Sequence, residues 1–203
     1  EILTHIRHSE KVFIMKRLLL ILILMFSFQS LAKADDIKDF QIEGVSIGDS
    51  LLDHFSKDQI VNNNLKANYK NKSIEGLLFQ NIDFIVNYDA MQFVYKVKNM
   101  EIINITALTK TGSDINLCKK KKNEVVLDLT NIFVNTERSD EKKNHPADIS
   151  GSSKVISTFL YFKNDDFVAV ECEQWSKKMD NPNVLKVSLR TKLYNDFLIE
   201  EYK

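Results

Sequence analysis

Hydrophobic positions recur along this chain with two periods, one near two residues and one near 3.6, and the switches between them divide it into elements. Met91, Phe93, Tyr95 and Val97 alternate with polar neighbours over residues 91–97, and Ile103, Ile105 and Ala107 do so over 101–109, which predicts a hairpin closed by the turn 98–100. Residues 154–162 are apolar on both faces, as in a central strand. After a turn at 164–166, residues 167–174 return with Val168, Val170 and Cys172 on one side, and 184–193 alternates with one wet face. Residues 82–86 form a further apolar run that predicts a strand. The longer period belongs to 113–133, where Ile115, Cys118, Lys122, Val125, Leu129 and Ile132 fall on one stripe behind Ser113 or Asp114 as N-cap. Lys122 lies on that stripe and has to extend its ammonium past apolar neighbours, leaving the rest of the run Lys119 to Lys122 solvated. The expected architecture is α+β: an antiparallel sheet of about five to six strands, one long helix packed on one face, and short N-terminal helices.

Those short helices carry their own start signals. Ser46-x-x-Asp49 and Ser50-x-x-Asp53 each place a hydroxyl before a carboxylate three residues on, the spacing of a helix cap, and Ser56-x-x-Gln59 repeats it. Residues 61–72 read as a polar loop. Residues 135–153 are charged, interrupted by Pro146 and Gly151, and read as a mobile loop; Asn195 is the expected cap of a short C-terminal helix.

The N-terminus changes the compartment. Met15-Lys16-Arg17 precedes an apolar core of 11 residues at 18–28, closed by Ala32-Lys33-Ala34. A charged head, a core too short to span a bilayer and an A-x-A site predict a signal peptide over 15–34 cleaved after Ala34, with 1–14 as upstream translation and 35–203 as one α+β domain. The whole chain holds 28 basic and 28 acidic residues. Five basic and two acidic ones lie within 1–34, so the expected mature chain carries 23 against 26. That slight acidity supplies no pull towards nucleic acid or anionic lipid. No later segment is apolar enough for a stable membrane span, and a periplasmic or secreted product is expected.

In an oxidising compartment the two cysteines acquire a meaning. Cys118 sits on the helix stripe and Cys172 on the apolar face of a strand, so a disulfide between them is expected. No CxxC is present and only two histidines follow residue 34, so neither a metal centre nor a cofactor is expected.

Gly48-Asp49-Ser50-Leu51 resembles the nucleophile block of the GDSL (SGNH) esterases and lipases, which implies Ser50 as nucleophile and a late histidine, here His145 in His145-Pro146, as base. The chain departs from that pattern in its chemistry. Gly112-Ser113-Asp114 carries a carboxylate where the family has an oxyanion-donating asparagine, and Lys142 stands three residues before His145 where the family has aspartate, with Asp140 five away. Ile42 to Ile47 lacks the apolar run of a buried parallel strand. A helix cap accounts for Ser50 without a partner, and His54, four residues on, reads as a solvent-facing helical histidine.

Over most of its length, from the leader into Asp35 to Phe40, through Ile42 to Ser56 and the helix at Ile115 to Lys120, the chain resembles a set of short exported proteins of AT-rich marine bacteria; the resemblance implies no activity. Gly48-x-Ser50 entering a helix is also similar to helix starts of small envelope lipoproteins of the outer-membrane assembly machinery. The expectation is an exported accessory or binding module, with an envelope protein or a small molecule as partner and Tyr69, Trp175 and Tyr194 as exposed aromatics; a serine esterase using Ser50 and His145 is the alternative.

Overall fold

The computed structural model describes residues 34–66, 69–80 and 82–201. The expected segment 1–14 and all of the expected signal peptide except Ala34 lie outside them. The described chain opens with a single 3-10 turn and a two-stranded hairpin of β1 (Gln41–Ile42) and β2 (Val45–Ser46). Its turn needs positive φ at Glu43 and Gly44. Two short helices follow, α1 (Leu51–His54) and α2 (Lys57–Asn62). Ser56 and Gln59 form both halves of the capping box at the start of α2.

The main sheet holds seven strands rather than the expected five to six. In chain order they are β3 (Ile74–Gln80), β4 (Ala90–Lys96), β5 (Ile102–Gly112), β6 (Glu137–Asn144), β7 (Lys154–Tyr161), β8 (Phe167–Gln174) and β9 (Asn183–Arg190). Their spatial order is β3-β4-β5-β9-β8-β7-β6, every pairing antiparallel. The addition with no apolar signal is β6. All eight of its residues are exposed, and it replaces the first half of the expected loop 135–153. It pairs with β7 through eight registered residues, so backbone hydrogen bonds hold it where side chains contribute no burial. Its alternating charges suit an edge strand, which must not recruit another chain. Residues 82–86 are turns rather than a strand; Ile82, Phe84 and Ile85 plug the core from a loop.

Helices lie on both faces of the sheet, not on one. Helix α3 (Ile115–Ile132), capped by Asp114 accepting the Asn116 N–H at 2.8 Å, packs on β5, β9 and β8. Its buried stripe is Cys118, Lys122, Val126 and Leu129, with Val125 half-buried beside it. The N-terminal turns cover the rest of that face with Ile37, Val45, Leu51, Phe55 and Ile60, packed against Leu77, Phe93 and Ile105. Helix α4 (Lys192–Glu201) lies on the opposite face, where Tyr194 and Phe197 meet Ile74, Val94 and Ile103. Ile103 reaches that face because β5 carries a bulge opposite Val94 and Tyr95, which interrupts the alternation and puts Ile103 on the side of Asn104 rather than of Ile105. The cap of α4 is Thr191, whose Oγ1 accepts the Tyr194 N–H at 3.2 Å; Asn195 sits inside the helix.

The Cys118–Cys172 disulfide is present, with Cα atoms 6.0 Å apart, and it ties α3 to β8 across the core. Closing a loop with a sequence separation of 54 contributes about 4 kcal/mol through lost freedom of the unfolded chain. No described helix is long and apolar enough to cross a membrane.

Candidate functional site

The Gly48 to Leu51 stretch is accounted for residue by residue by structure. Gly48 has φ +94, a conformation that side chains rarely adopt, and its N–H donates to Ile102 O at 2.9 Å. The Asp49 carboxylate accepts the Ser46 N–H at 2.9 Å and meets His54 Nε2 at 2.9 Å. Ser50 pairs with Glu101 as an isolated bridge and caps α1 by accepting the Leu52 N–H at 3.3 Å. Leu51 is fully buried. The stretch therefore splices the first helix onto the start of β5. Of the two expected caps, Ser50 performs the role and Asp53 adds a carboxylate to the first turn, whereas Ser46 lies in β2 and only the Asp49 half of its signature forms. His54 is half-buried and spent on Asp49 rather than facing solvent.

His145 is elsewhere. It follows the end of β6, with its N–H donating to Ser153 O, while Ser50 sits by the turn between β4 and β5. The register places these at opposite ends of the sheet, one strand length of about 25 Å apart, and four strand spacings of about 4.8 Å across. The structure does not bring Ser50 and His145 together. His145 is buried, its Nδ1 accepts the Ala147 N–H at 3.1 Å, its Nε2 lies 3.3 Å from Glu173, and its ring packs tilted against Trp175 with ring centres 4.0 Å apart. The adjoining turn is built on Asp148, which accepts from the N–H and hydroxyl of Ser150 and of Ser153 and from the Ser176 hydroxyl at 3.2 Å. Those donors hold its carboxyl well below the usual carboxylate range. Residues 145–153, expected to be a mobile loop, thus form a hydrogen-bonded clamp on the end of β8.

Lys122 behaves as its place on the stripe requires. It is buried, donates to Thr158 Oγ1 at 2.5 Å, and Thr158 donates on to Asp140. Burial lowers its pKa, and the positive Arg138 beside Asp140 holds the latter's carboxyl low. Of the three aromatics expected on the surface, Tyr194 is buried, Tyr69 packs edge-on against Phe197 at 5.0 Å, and Trp175 is half-covered by His145.

A different aromatic surface is present. Among the described residues, α4 covers only the β3 to β5 half of its face, and no helix lies over β8, β7 and β6. Along that bare half, small residues sink between larger ones: Ser157, Ala169 and Ser188 are fully buried. Ser157 donates to Glu171 at 2.7 Å, and Thr106 pairs with Ser188 at 2.9 Å. At the α4 end the floor opens into a cleft of about 450 Å³, walled by Phe159, Tyr161 and Phe167 and reached by Arg190. The Arg190 guanidinium lies 5.3 Å from the Phe167 ring centre and 5.8 Å from that of Tyr194. Its Nε is sealed from solvent without a hydrogen-bond partner, as is Oδ1 of Asn104, the residue directly opposite it on β5. In the sequence, Phe159, Tyr161, Phe167 and Arg190 look like ordinary strand residues. Only the pairing register, which aligns Tyr161, Phe167 and Arg190 across three strands, collects them.

Protein-family models, curated proteins and solved structures return no match to the chain.

Proposed function

We propose that the chain is an exported, disulfide-stapled α+β domain without catalytic activity, which serves the periplasm or the extracellular space as a binding module through the helix-free half of its sheet. The observation that carries this reading is the cleft at Arg190, where a cation without an ion pair to any described residue stands beside an aromatic wall, a combination typical of recognition surfaces. Export is supported by the head, core and A-x-A site of residues 15–34 and by the disulfide. The resemblance to short exported bacterial proteins agrees with it and adds no activity.

The serine esterase reading has no assembled base: the Ser50 hydroxyl serves a helix N-terminus and His145 is buried against Trp175 and Glu173. Two measurements test the proposal. Exported protein should begin at Asp35 by intact mass, and it should neither hydrolyse a short-chain acyl ester nor take up a fluorophosphonate probe. Hydrolysis that Ser50→Ala abolishes would establish the esterase instead.

A further inference from the structure

We infer that the Arg190 cleft binds a small organic carboxylate with a flat apolar body, the carboxylate on the guanidinium and the body against Phe159, Tyr161 and Phe167. This rests on the binding-module reading and assigns its ligand class. Three features of the cleft converge on it.

The first is charge. Six ionised side chains line the cleft, and most are already spent: Lys192 is 2.5 Å from Asp196, and Lys143 is 3.3 Å from Glu141. Asp165 adds to the field that raises the Lys192 pKa, behind the larger effect of Asp196. Arg190 alone among the lining cations has neither an ion pair nor a hydrogen bond with any described residue. An incoming anion has one place to go.

The second is the shape of that cation. With Phe167 and Tyr194 beside it and its Nε sealed, the guanidinium is held by rings rather than by competing acceptors. A planar fork held in this way loses little freedom on accepting two parallel hydrogen bonds, and a carboxylate matches it in plane and spacing. A cation has no favourable seat there, because Asp165 and Asp196 already face Lys192.

The third is the wall. Phe159 and Tyr161 stack at 5.8 Å with ring planes 30° apart, and Phe167 stands 5.8 Å and 5.3 Å from them. Tyr161 is 37% exposed although every other large group on β7 is packed away or half-buried. The ring faces offer a stacking surface to a flat body, and the volume lies at the small-ligand end of the roughly 300–1,000 Å³ typical of binding pockets.

Isothermal titration calorimetry of the exported protein with four probes tests the assignment: 3-phenylpropionate, the matching alcohol 3-phenylpropan-1-ol, acetate and phenylphosphonate. The expected result is saturable binding of 3-phenylpropionate, with the alcohol weaker by about tenfold or more, since a charge-assisted hydrogen bond is worth that factor; acetate is weaker because it has no body for the aromatic wall, and phenylphosphonate because its further negative charge meets Asp165. Arg190→Met, which keeps the stem and removes the fork, should weaken 3-phenylpropionate by at least about tenfold. Phe159→Leu on the half-buried wall should weaken it several-fold and serves alone should Arg190→Met fail to fold. The inference is overturned by the absence of saturable binding at millimolar 3-phenylpropionate, by equal binding of the alcohol, or by tighter binding of the phosphonate. Binding of 3-phenylpropionate with unchanged affinity in both variants overturns this site while leaving the binding-module reading intact; turnover of a phenyl ester abolished by Ser50→Ala overturns that reading instead.

Discussion

On one face of the sheet Leu77, Phe93, Ile105, Val170 and Leu189 lie sealed beneath α3 and the N-terminal turns, and a disulfide bolts the lid shut. On the other face α4 covers one half, and the remaining half is a lattice of serine, threonine, glutamate and lysine ending in an aromatic cleft. Both faces are carried by the same strands, whose successive side chains point in opposite directions. Stability is concentrated on the first face, which leaves the second free to keep polar groups and, among the described residues, a cation without an ion pair at its surface.

Substitutions on the two faces should therefore differ in cost. Phe93→Ala, on the sealed face, should cost roughly 3–5 kcal/mol in denaturant unfolding, whereas Phe159→Ala, half-buried on the bare face, should cost less than about 1.5 kcal/mol. Equal losses would mean that the second face is as much a core as the first. Replacing Cys118 and Cys172 together by alanine should remove about 4 kcal/mol, read as a lower urea midpoint.

Asp148 sits at the far end of the bare face, and its effect should be smaller and dependent on pH. Its carboxyl is depressed in the folded state by Ser150 and Ser153, so the unfolded chain takes up the proton first as pH falls. Its contribution is therefore complete above the ordinary aspartate value near pH 4 and is lost in more acidic solution. Asp148→Asn should lower the melting temperature at neutral pH and flatten the acid limb of a stability profile; an unchanged limb would remove Asp148 as the clamp. Ser50→Ala should cost only about 1 kcal/mol, the value of a helix cap.

What could be read ahead of the structure follows the same division. Strands β4, β5, β7, β8 and β9, helix α3 and the disulfide all announce themselves through apolar periodicity, because burial on the sealed face is what places them. Strand β6 has no apolar residue and is held by backbone pairing to β7, to which a hydrophobic pattern is blind. Residues 82–86 are apolar yet plug the core from a loop, since burial alone does not specify extended backbone. At Gly48 to Leu51 the letters of an esterase motif coincide with a glycine needed for positive φ, a turn-closing aspartate, a capping serine and a core leucine. The residues of the Arg190 cleft carry no such signal, because they come from four strands, a turn and a helix, and only register brings them together.

Backbone amide NMR of the exported protein titrated with 3-phenylpropionate locates the ligand on the sheet. Saturating shifts should concentrate at Phe159, Tyr161, Phe167, Arg190 and Lys192, leaving Ser50, His54 and His145 in place. Shifts centred on Ser50 or on His145, with the Arg190 strand end unmoved, would place binding elsewhere and rule out the bare face as the recognition surface.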